Sequence, residues 1–317
     1  SCSRCGICID QCQLGSVLNM KDTQPVYYLK KIRHHKAYAA QTDNCLMCGR
    51  CESACPVDLK LNALRLSQRS DYTRITKSSY EYVPGTAFQS AKIAYFAGCM
   101  GHLTPGVIRS MQTIFTKAHA DYTFIDEKEG VCCGRPALLS GNHNAASAIM
   151  EKNKAILKNS GAEILVTSCP ICYKTFKEDY NLSIKVMHHT EYLNDLIRNK
   201  LITPHQSELK TVFHNPCELG RGCDVYAAPD QVLQTVSHKL ATVYDGKNSL
   251  CCGGSLANIH IDPGQRTRIS SDAVKAYLSY QPDLLVTACP LCKKTFMKTD
   301  TAVPIKDIAE VVAENCR

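Results

Sequence analysis

EILVTSCPICYKTFK (residues 163–177) and DLLVTACPLCKKTFM (residues 283–297) are two copies of one pattern. In each copy an apolar run ends in a cysteine, and a proline, one further residue and a second cysteine follow. The apolar run is typical of a buried strand, and a proline at this point favours the first turn of a helix. The repeated strand-to-helix unit therefore predicts two sister α/β domains.

Other segments repeat around these two copies. KIAYFAGCM (92–100) matches KTVFHNPCE (210–218), and CCG occurs at 132–134 and again at 251–253. The first half alternates between strand signals at 92–98, 122–126, 163–169 and 184–189 and helix signals at 105–120, 143–160 and from 170 onward. This alternation predicts, in each half, a Rossmann-like parallel sheet with crossover helices and with functional groups at the carboxyl ends of the strands.

Cysteine is the residue that indicates the chemistry. The chain has 20 cysteines among 317 residues, and 44% of its residues are hydrophobic. No signal peptide opens the sequence, and no apolar run approaches the ~18 residues that indicate a membrane span. Thiols stay free in a reducing compartment, so this density predicts metal ligands rather than disulfides. We expect a cytoplasmic protein that reaches a membrane only through a partner.

The first segment carries the spacing C-x₂-C-x₂-C-x₃-C twice, at 2–12 (CSRCGICIDQC) and at 45–55 (CLMCGRCESAC). Such a run wraps three thiolates around one 4Fe–4S cluster and sends the fourth to a neighbouring cluster. Zinc more often takes two separated C-x₂-C pairs. The sequence therefore predicts two 4Fe–4S cubanes, with the ligand sets Cys2, Cys5, Cys8 and Cys55, and Cys45, Cys48, Cys51 and Cys12. The second run is followed by the expected Pro56, whereas Gln13 takes that place after the first.

The residues between the two runs include YYLKKIRHHKAYAAQ (27–41), which predicts a helix. The segment resembles the helical ferredoxin domain of succinate dehydrogenase and heterodisulfide reductase. Because the first ligand is residue 2, we expect a partner subunit or upstream residues to cover its cluster. The predicted divisions are a helical two-cluster ferredoxin domain (1–70), a linker (71–90), and two α/β domains (91–205 and 206–317).

Each α/β half supplies five thiols: Cys99, Cys132, Cys133, Cys169 and Cys172 in the first, and Cys217, Cys251, Cys252, Cys289 and Cys292 in the second. Four thiolates suffice for a cubane, so an adjacent fifth predicts a cluster whose irons are spread apart or share a bridging thiolate. Gly134 and Gly253 would let the backbone turn tightly after each vicinal pair.

The CPIC and CPLC segments also allow a thioredoxin-like interpretation. A helix N-terminus stabilises thiolates, so we expect the cysteines of both segments to be acidic and either reactive or ligating. A dithiol alone, however, leaves three thiols of each set unexplained. We therefore prefer the cluster interpretation.

This pattern resembles the CCG-domain family, in which a cysteine is followed by Cys-Cys-Gly and then by C-x₂-C. The nearest members are the catalytic subunit of heterodisulfide reductase and its ferredoxin-fused form. The resemblance implies that each five-cysteine set holds a non-cubane 4Fe–4S cluster and that a small disulfide is cleaved between the two. Glu218 stands where the family often has a histidine, which implies an altered substrate pocket.

Two alternatives remain open. Related proteins in glycerol-3-phosphate, glycolate and lactate dehydrogenases share the layout, so the chain is alternatively an electron-transfer subunit of a flavin dehydrogenase that feeds quinone or another carrier. The third hypothesis is a structural zinc or thiol-switch protein.

The formal charge of +8 does not indicate a nucleic-acid partner, because thiolate-ligated clusters are anionic and the basic residues balance them. The expected partners are flavin- or hydrogenase-containing redox subunits. Candidate proton donors are His102, His214 and His260. Arg135 and Arg221 are expected to offset cluster charge rather than to hold an anionic substrate, and Cys223 and Cys316 are expected to be bystanders.

Overall fold

The computed structural model describes residues 2–3, 5–15, 45–67, 89–128, 130–254 and 261–316. The helix predicted at 27–41, most of the predicted linker and His260 lie outside these ranges. The described part of the first segment is helical. Its helices are α1 (Ile7–Asp10), α2 (Arg50–Ser53) and α3 (Leu61–Ser67). Helix α2 packs against both α1 and α3.

The first α/β unit is built on a four-stranded parallel sheet in the order β2–β1–β3–β4. Its elements are β1 (Ile93–Phe96), α4 (Gly98–His102), α5 (Pro105–Lys117), β2 (Tyr122–Phe124), α6 (Arg135–Leu139), α7 (His143–Ser160), β3 (Ile164–Thr167), α8 (Pro170–Glu178), β4 (Lys185–His188) and α9 (His189–Arg198). The predicted alternation is confirmed. The strands β1 and β3 are mostly apolar because both faces of a parallel sheet are covered.

The second unit repeats the arrangement, with a parallel sheet in the order β6–β5–β7–β8. Its elements are β5 (Lys210–His214), α10 (Gly220–Cys223), α11 (Ala227–Val236), β6 (His238–Lys239), a 3₁₀ turn (Gly246–Asn248), α12 (Pro263–Leu278), β7 (Leu284–Thr287), α13 (Pro290–Phe296), β8 (Ile305–Asp307) and α14 (Ile308–Asn315). The predicted α/β fold with two duplicated domains is therefore confirmed.

The two units share one apolar core. Helix α5 packs on α14, and α9 packs on α11. The buried cluster at this interface includes Phe115 and Leu193 of the first unit and Leu233 and Val312 of the second. A continuous core of this kind fixes the relative position of the two sheets, and with it the position of the loops at their carboxyl ends.

The first segment packs on the second unit. Leu14 and Leu46 form a buried cluster with Cys251, Ile261 and Ile269. Among the described residues, no helix has the length and apolar character that crossing a bilayer would require.

Candidate metal centre

The carboxyl ends of the central strands position four of the cysteines. Cys99 and Cys217 follow β1 and β5, and Cys169 and Cys289 are the N-cap residues of α8 and α13, with proline in the first turn of each helix. Proline there fits because the first helical N–H groups have no partner within the helix. The central strands therefore place two thiols at the carboxyl edge of each sheet, as predicted.

All twenty cysteines lie in described residues, and all are free thiols. In the first set, hydrogen bonds link the thiols in the order Cys99, Cys132, Cys133, Cys172, Cys169. In the second set the order is Cys217, Cys251, Cys252, Cys292, Cys289. The structure thus brings each predicted five-cysteine set together, in the same order in both halves.

The two sets also meet each other. The thiol of Cys169 hydrogen-bonds to that of Cys289, so the innermost members of both sets touch across the boundary between the units. Both residues are buried. The ten sulfur atoms consequently form one continuous chain.

Burial and mutual hydrogen bonding separate the pKa values of neighbouring thiols. The hydrogen bond with Cys132 lowers the pKa of Cys133, and the hydrogen bond with Cys133 raises the pKa of Cys132. The predicted acidity of the CPIC and CPLC cysteines is right for Cys169, whose pKa is lowered through Cys172. It is wrong for Cys289, because burial raises its pKa.

The predicted acidity is also wrong for the second cysteine of the CPIC and CPLC segments. The pKa of Cys172 is raised through its hydrogen bond with Cys133, and that of Cys292 through its hydrogen bond with Cys252. The first turn of a helix does not by itself make these thiols acidic.

Backbone geometry and two side chains hold the first vicinal pair. Gly134 has φ +89°, and the corresponding Gly253 has φ +79°, so both loops use the left-handed region that the sequence predicted. Asn153 Nδ2 donates to the carbonyl of Cys132 at 2.9 Å. Tyr180 Oη donates to the carbonyl of Cys133 at 2.9 Å.

Sequence reasoning missed these two positioning residues. Asn153 Nδ2 also lies 2.7 Å from Tyr180 Oη, so the two side chains support each other. The signal that could have indicated Asn153 is a polar residue on the otherwise apolar inner face of α7.

The second vicinal pair is held by the first segment. The backbone N–H of Cys251 donates to Gln13 Oε1 at 2.6 Å, and Gln13 Nε2 donates back to the Cys251 carbonyl at 3.2 Å. The side-chain amide of Gln13 therefore pairs with the Cys251 backbone much as a neighbouring strand would. Gln13 is the residue that departs from the expected proline, and its partner explains the departure.

Seven of the eight ferredoxin cysteines, all but Cys55, come close to one another, and Cys51 lies near both Cys12 and Cys8. The thiol of Cys12 lies near those of Cys45, Cys48 and Cys51, and burial raises its pKa to about 11. The thiol of Cys8 lies near those of Cys2, Cys5 and Cys51, and burial raises its pKa as well. Arg65 Nη1 donates to the sulfur of Cys51 at 3.2 Å. A buried guanidinium at this point balances thiolate charge.

Arg221 lies where the first segment meets the second five-cysteine set. Its Nε donates to the carbonyl of Cys48 at 2.7 Å, and its Nη1 donates to the carbonyls of Lys247 and Ser249. Burial lowers the pKa of Arg221, but the neighbouring thiols, Cys48 first, outweigh burial and raise it. The position supports the interpretation that Arg221 offsets cluster charge.

The other predicted residues have varied surroundings. Arg135 pairs with Asp179 at 3.4 Å. His102 Nε2 lies 3.6 Å from Asp126, and the interaction with that carboxylate raises the pKa of His102. His214 is buried, and its ring nitrogens lie 3.0 Å from Thr287 Oγ1 and 3.0 Å from the Leu250 carbonyl. His214 therefore has a packing role, and burial lowers its pKa to about 4.

Cys223 and Cys316 lie apart from the sulfur chain. Burial raises the pKa of both thiols, to about 12 for Cys223. Cys316 belongs to the core shared by the two units, and Cys223 packs against that core. These environments support their assignment as bystanders.

Two adjoining cavities reach the second set. A small apolar pocket is lined by Cys217, Cys251, Cys252, Cys289 and Cys292, and the first unit contributes Leu139, Pro170 and Ile171. A polar cleft of about 600 Å³ lies between all three segments and also reaches Cys217 and Glu218. Burial raises the pKa of Glu218. Both units and the first segment contribute residues to this region.

The donor chemistry fits iron–sulfur clusters. Free thiols are the ligand type that these clusters require. Arg221 Nη2 is buried without a hydrogen-bond partner among the described residues, which fits a position facing anionic sulfur. In the described ranges, no three His, Cys, Asp or Glu side chains are placed to hold a single metal ion.

Comparison with known proteins identifies the class. A family model for a cysteine-rich domain, CCG, matches residues 93–177 and 211–297, which together exceed half of the chain. A model for a 4Fe-4S dicluster domain matches residues 1–59. The chain therefore belongs to the CCG cysteine-rich-domain family and begins with a 4Fe–4S dicluster domain. The predicted family and the predicted 4Fe–4S character are confirmed.

The curated relatives are iron–sulfur and electron-transfer proteins. A dihydromethanophenazine:CoB–CoM heterodisulfide reductase subunit from Methanosarcina acetivorans is 29% identical over 71% of this chain and 59% of the relative. A fumarate reductase (CoM/CoB) subunit from Methanothermobacter marburgensis is 24% identical over 78% of this chain and 55% of the relative. EtfAB:quinone oxidoreductase from Syntrophomonas wolfei is 25% identical over 63% of this chain and 30% of the relative.

The chain spans roughly three fifths of the length of the heterodisulfide reductase and iron–sulfur relatives that it matches. Among solved structures, a hypothetical protein from Helicobacter pylori has a TM-score of 0.60 at 7% identity, covering 94% of this chain and 66% of the other. That likeness concerns the fold alone. Together the matches identify an iron–sulfur electron-transfer protein related to these oxidoreductase subunits.

Proposed function

We propose that the chain is the iron–sulfur subunit of a heterodisulfide-reductase-like complex in the cytoplasm and that its paired five-cysteine sets reduce a small disulfide. The contact between Cys169 and Cys289 carries this proposal, because it brings the two sets together at one point. A single disulfide at that point would have each of its sulfur atoms facing a different set.

The proposed ligands are the eighteen cysteines predicted from the sequence. Eight thiols of the first segment would hold two 4Fe–4S cubanes. The ten thiols of the α/β units would hold two non-cubane 4Fe–4S clusters. When bound, these clusters supply one-electron redox chemistry. Partner subunits with a flavin or a hydrogenase centre would supply the electrons.

Reduction of a disulfide consumes two electrons and two protons, breaks the S–S bond and releases two thiols. Two adjacent one-electron sites match this demand. The side chains of Leu139, Ile171 and Leu291 line the pocket beside Cys289 and would exclude water from it. The cleft of about 600 Å³ lies within the ~300–1,000 Å³ range of small-molecule sites and offers a path to the same thiols.

The similarity to the heterodisulfide reductase subunit of Methanosarcina acetivorans supports this proposal, and both five-cysteine sets are complete here. The similarity to EtfAB:quinone oxidoreductase favours a second candidate. In that case the chain passes electrons between a flavin partner and quinone or another carrier, and no disulfide reacts at the paired sets.

Reaction of the reduced protein with disulfides separates the two functions. The intact protein is reduced without oxygen by dithionite, freed of dithionite by gel filtration, and mixed with cystine, glutathione disulfide or a coenzyme-type mixed disulfide. Disulfide reduction predicts loss of the reduced electron paramagnetic resonance (EPR) signals and release of two thiols per disulfide. Persistent reduced signals with every disulfide, together with oxidation by a soluble quinone, would favour the electron-transfer function.

A further inference from the structure

We propose that electrons reach the paired sets through the second one, and that Gln13 and Arg221 are the positioning residues that hold the ferredoxin segment against it. The inference rests on the proposed function in one respect, namely that both the first segment and the second set bind clusters. It adds the order in which the clusters would be reduced, and it names the two residues that hold the ferredoxin segment against the second set.

The first support is a direct sulfur contact between the two modules. The thiol of Cys48, a predicted ferredoxin ligand, hydrogen-bonds to the thiol of Cys251, a member of the second set. Cys48 also packs against the buried cluster that contains Cys251. Leu14 and Leu46 pack around the same point and bury it. The two groups of ligands are therefore in contact without intervening residues.

Gln13 gives this contact a fixed geometry. Its side-chain amide both accepts from and donates to the backbone of Cys251, at 2.6 Å and 3.2 Å. Gln13 directly follows Cys12, so a ferredoxin ligand and a ligand of the second set are joined through one side chain. Proline, which the ferredoxin pattern expects here, has no amide side chain and would leave the Cys251 N–H without this acceptor.

Arg221 supplies a second, charged connection. Its guanidinium bonds the carbonyl of Cys48 on one side and the carbonyls of Lys247 and Ser249 on the other. A planar guanidinium presents several donors in a fixed fork, which lysine does not. Arg221 also lies four residues after Cys217, so it connects the ferredoxin segment to the loops that carry Cys217 and Cys251.

The first set is held differently. Its vicinal pair is bonded by Asn153 and Tyr180, which belong to its own unit. His102, three residues after Cys99, lies against Asp126 of that unit, and Leu103, at the position that Arg221 has after Cys217, is exposed. The duplicated halves thus differ at the position where the ferredoxin segment docks. The contact between Cys169 and Cys289 then connects the second set onward to the first.

The step itself is simple. Cys48 would help to hold a cubane, Cys251 would help to hold the cluster of the second set, and one electron would pass from the first cluster to the second. No bond forms or breaks, and no proton moves. The initial reductant is a one-electron donor, a flavin of a partner subunit in the complex or dithionite in the experiment.

Rapid-freeze EPR on the intact holoprotein mixed with dithionite tests the order. Signals are assigned beforehand with Cys172→Ser, which removes a ligand of the first set, and Cys292→Ser, which removes one of the second. The inference predicts that cubane signals appear first, then those of the second set, then those of the first. Reduction of the first set before the second would overturn it.

Variants test the two positioning residues. In Arg221→Gln and Gln13→Leu, the cubane signals should appear at the wild-type rate, while reduction of the second set slows by about tenfold or more. Arg221→Lys should remain slow, because one ammonium group does not bridge three carbonyls. Arg109→Gln, at an exposed site on α5, should match the wild type. If the second set is reduced at the wild-type rate in Arg221→Gln, Gln13→Leu and Arg221→Lys, Gln13 and Arg221 are not positioning residues.

Hydrogen–deuterium exchange provides a readout independent of electron flow. The Cys251 amide should exchange faster in Gln13→Leu than in the wild type, with the Cys133 amide unchanged as an internal reference. Equal exchange at Cys251 would refute the role of Gln13. If iron analysis finds no cluster in the second set, the proposed function fails and this inference fails with it. If both sets are loaded but the order is reversed, only this inference fails.

Discussion

The thiols of Cys169 and Cys289 hydrogen-bond to each other across the boundary between the two α/β units. Each residue caps the helix that follows a central strand, so the duplicated fold brings equivalent points of its two halves together. The apolar core between α5, α9, α11 and α14 fixes this meeting. This contact brings the two cysteine sets together.

The first prediction concerns the ligands. Cys289→Ser should lower the iron content by one cluster's worth, ~4 irons, and abolish disulfide reduction, while the cubane EPR signals persist. Cys223→Ser is the matched control, because it removes a thiol that lies apart from the sulfur chain. Loss of iron in the control and not in Cys289→Ser would reverse the assignment.

The second prediction concerns the turn after the vicinal pair. A Cβ at Gly253 would lie 2.9 Å from the carbonyl oxygen of Arg266, and φ there is +79°. Gly253→Ala should therefore lower the free energy of unfolding by more than the ~1–2 kcal/mol of left-handed strain alone. It should also weaken iron binding by the second set. Gly246→Ala, at φ +60° with open space around it, should cost only the strain. Chemical denaturation measures the unfolding free energy of both variants. Equal losses of unfolding free energy would show that a Cβ at Gly253 is not crowded by the Arg266 carbonyl.

The third prediction concerns the loop of the first set. Tyr180→Phe removes the donor to the Cys133 carbonyl and one of the two acceptors of the Asn153 amide, which keeps its bond to the Cys132 carbonyl. The buried carbonyl left without this donor costs about 1–3 kcal/mol. We expect faster iron loss from the first set than from the second during chelation, measured by EPR. Tyr226→Phe is the control, since its buried hydroxyl has no hydrogen-bond partner among the described residues. Uniform iron loss from both sets would argue against a positioning role for Tyr180.

The fourth prediction concerns pH. Burial lowers the pKa of His214 from 6.5 to about 4 in the folded chain. Because the unfolded chain binds this proton more readily, stability is lost as pH falls from 6.5 towards 4. At pH 5 the loss from this residue should be about 2 kcal/mol relative to pH 7.5. In His214→Asn the unfolding free energy should fall less over this interval; an identical slope for both proteins would show that His214 does not titrate as described.

The sequence predicted much of the fold because its signals are local. Proline begins α8 and α13, and apolar runs form β3 and β7; each of these signals spans only a few residues. Repetition of the whole pattern in the second half then indicates two similar parallel sheets. The helix predicted at 143–160 has the observed bounds, with Asn142 capping its start through the Ala145 N–H. The two CCG loops also adopt the positive φ that their glycines predicted.

The rest depends on tertiary packing. The bond between Gln13 and Cys251 joins residues far apart in the chain, and nothing in the local pattern names such a partner. The contact between Cys169 and Cys289 arises from helix packing at the interface between the units. Thiol acidity at Cys289 was predicted wrongly because burial outweighs the helix N-terminus there. The ligand sets themselves remain predictions.

Iron and acid-labile sulfide in the intact protein, purified without oxygen, test the central claim most directly. Two cubanes and two clusters in the paired sets predict ~16 irons and a similar amount of sulfide per chain. About 8 irons with freely alkylated vicinal cysteines, or zinc in place of iron, would contradict the account.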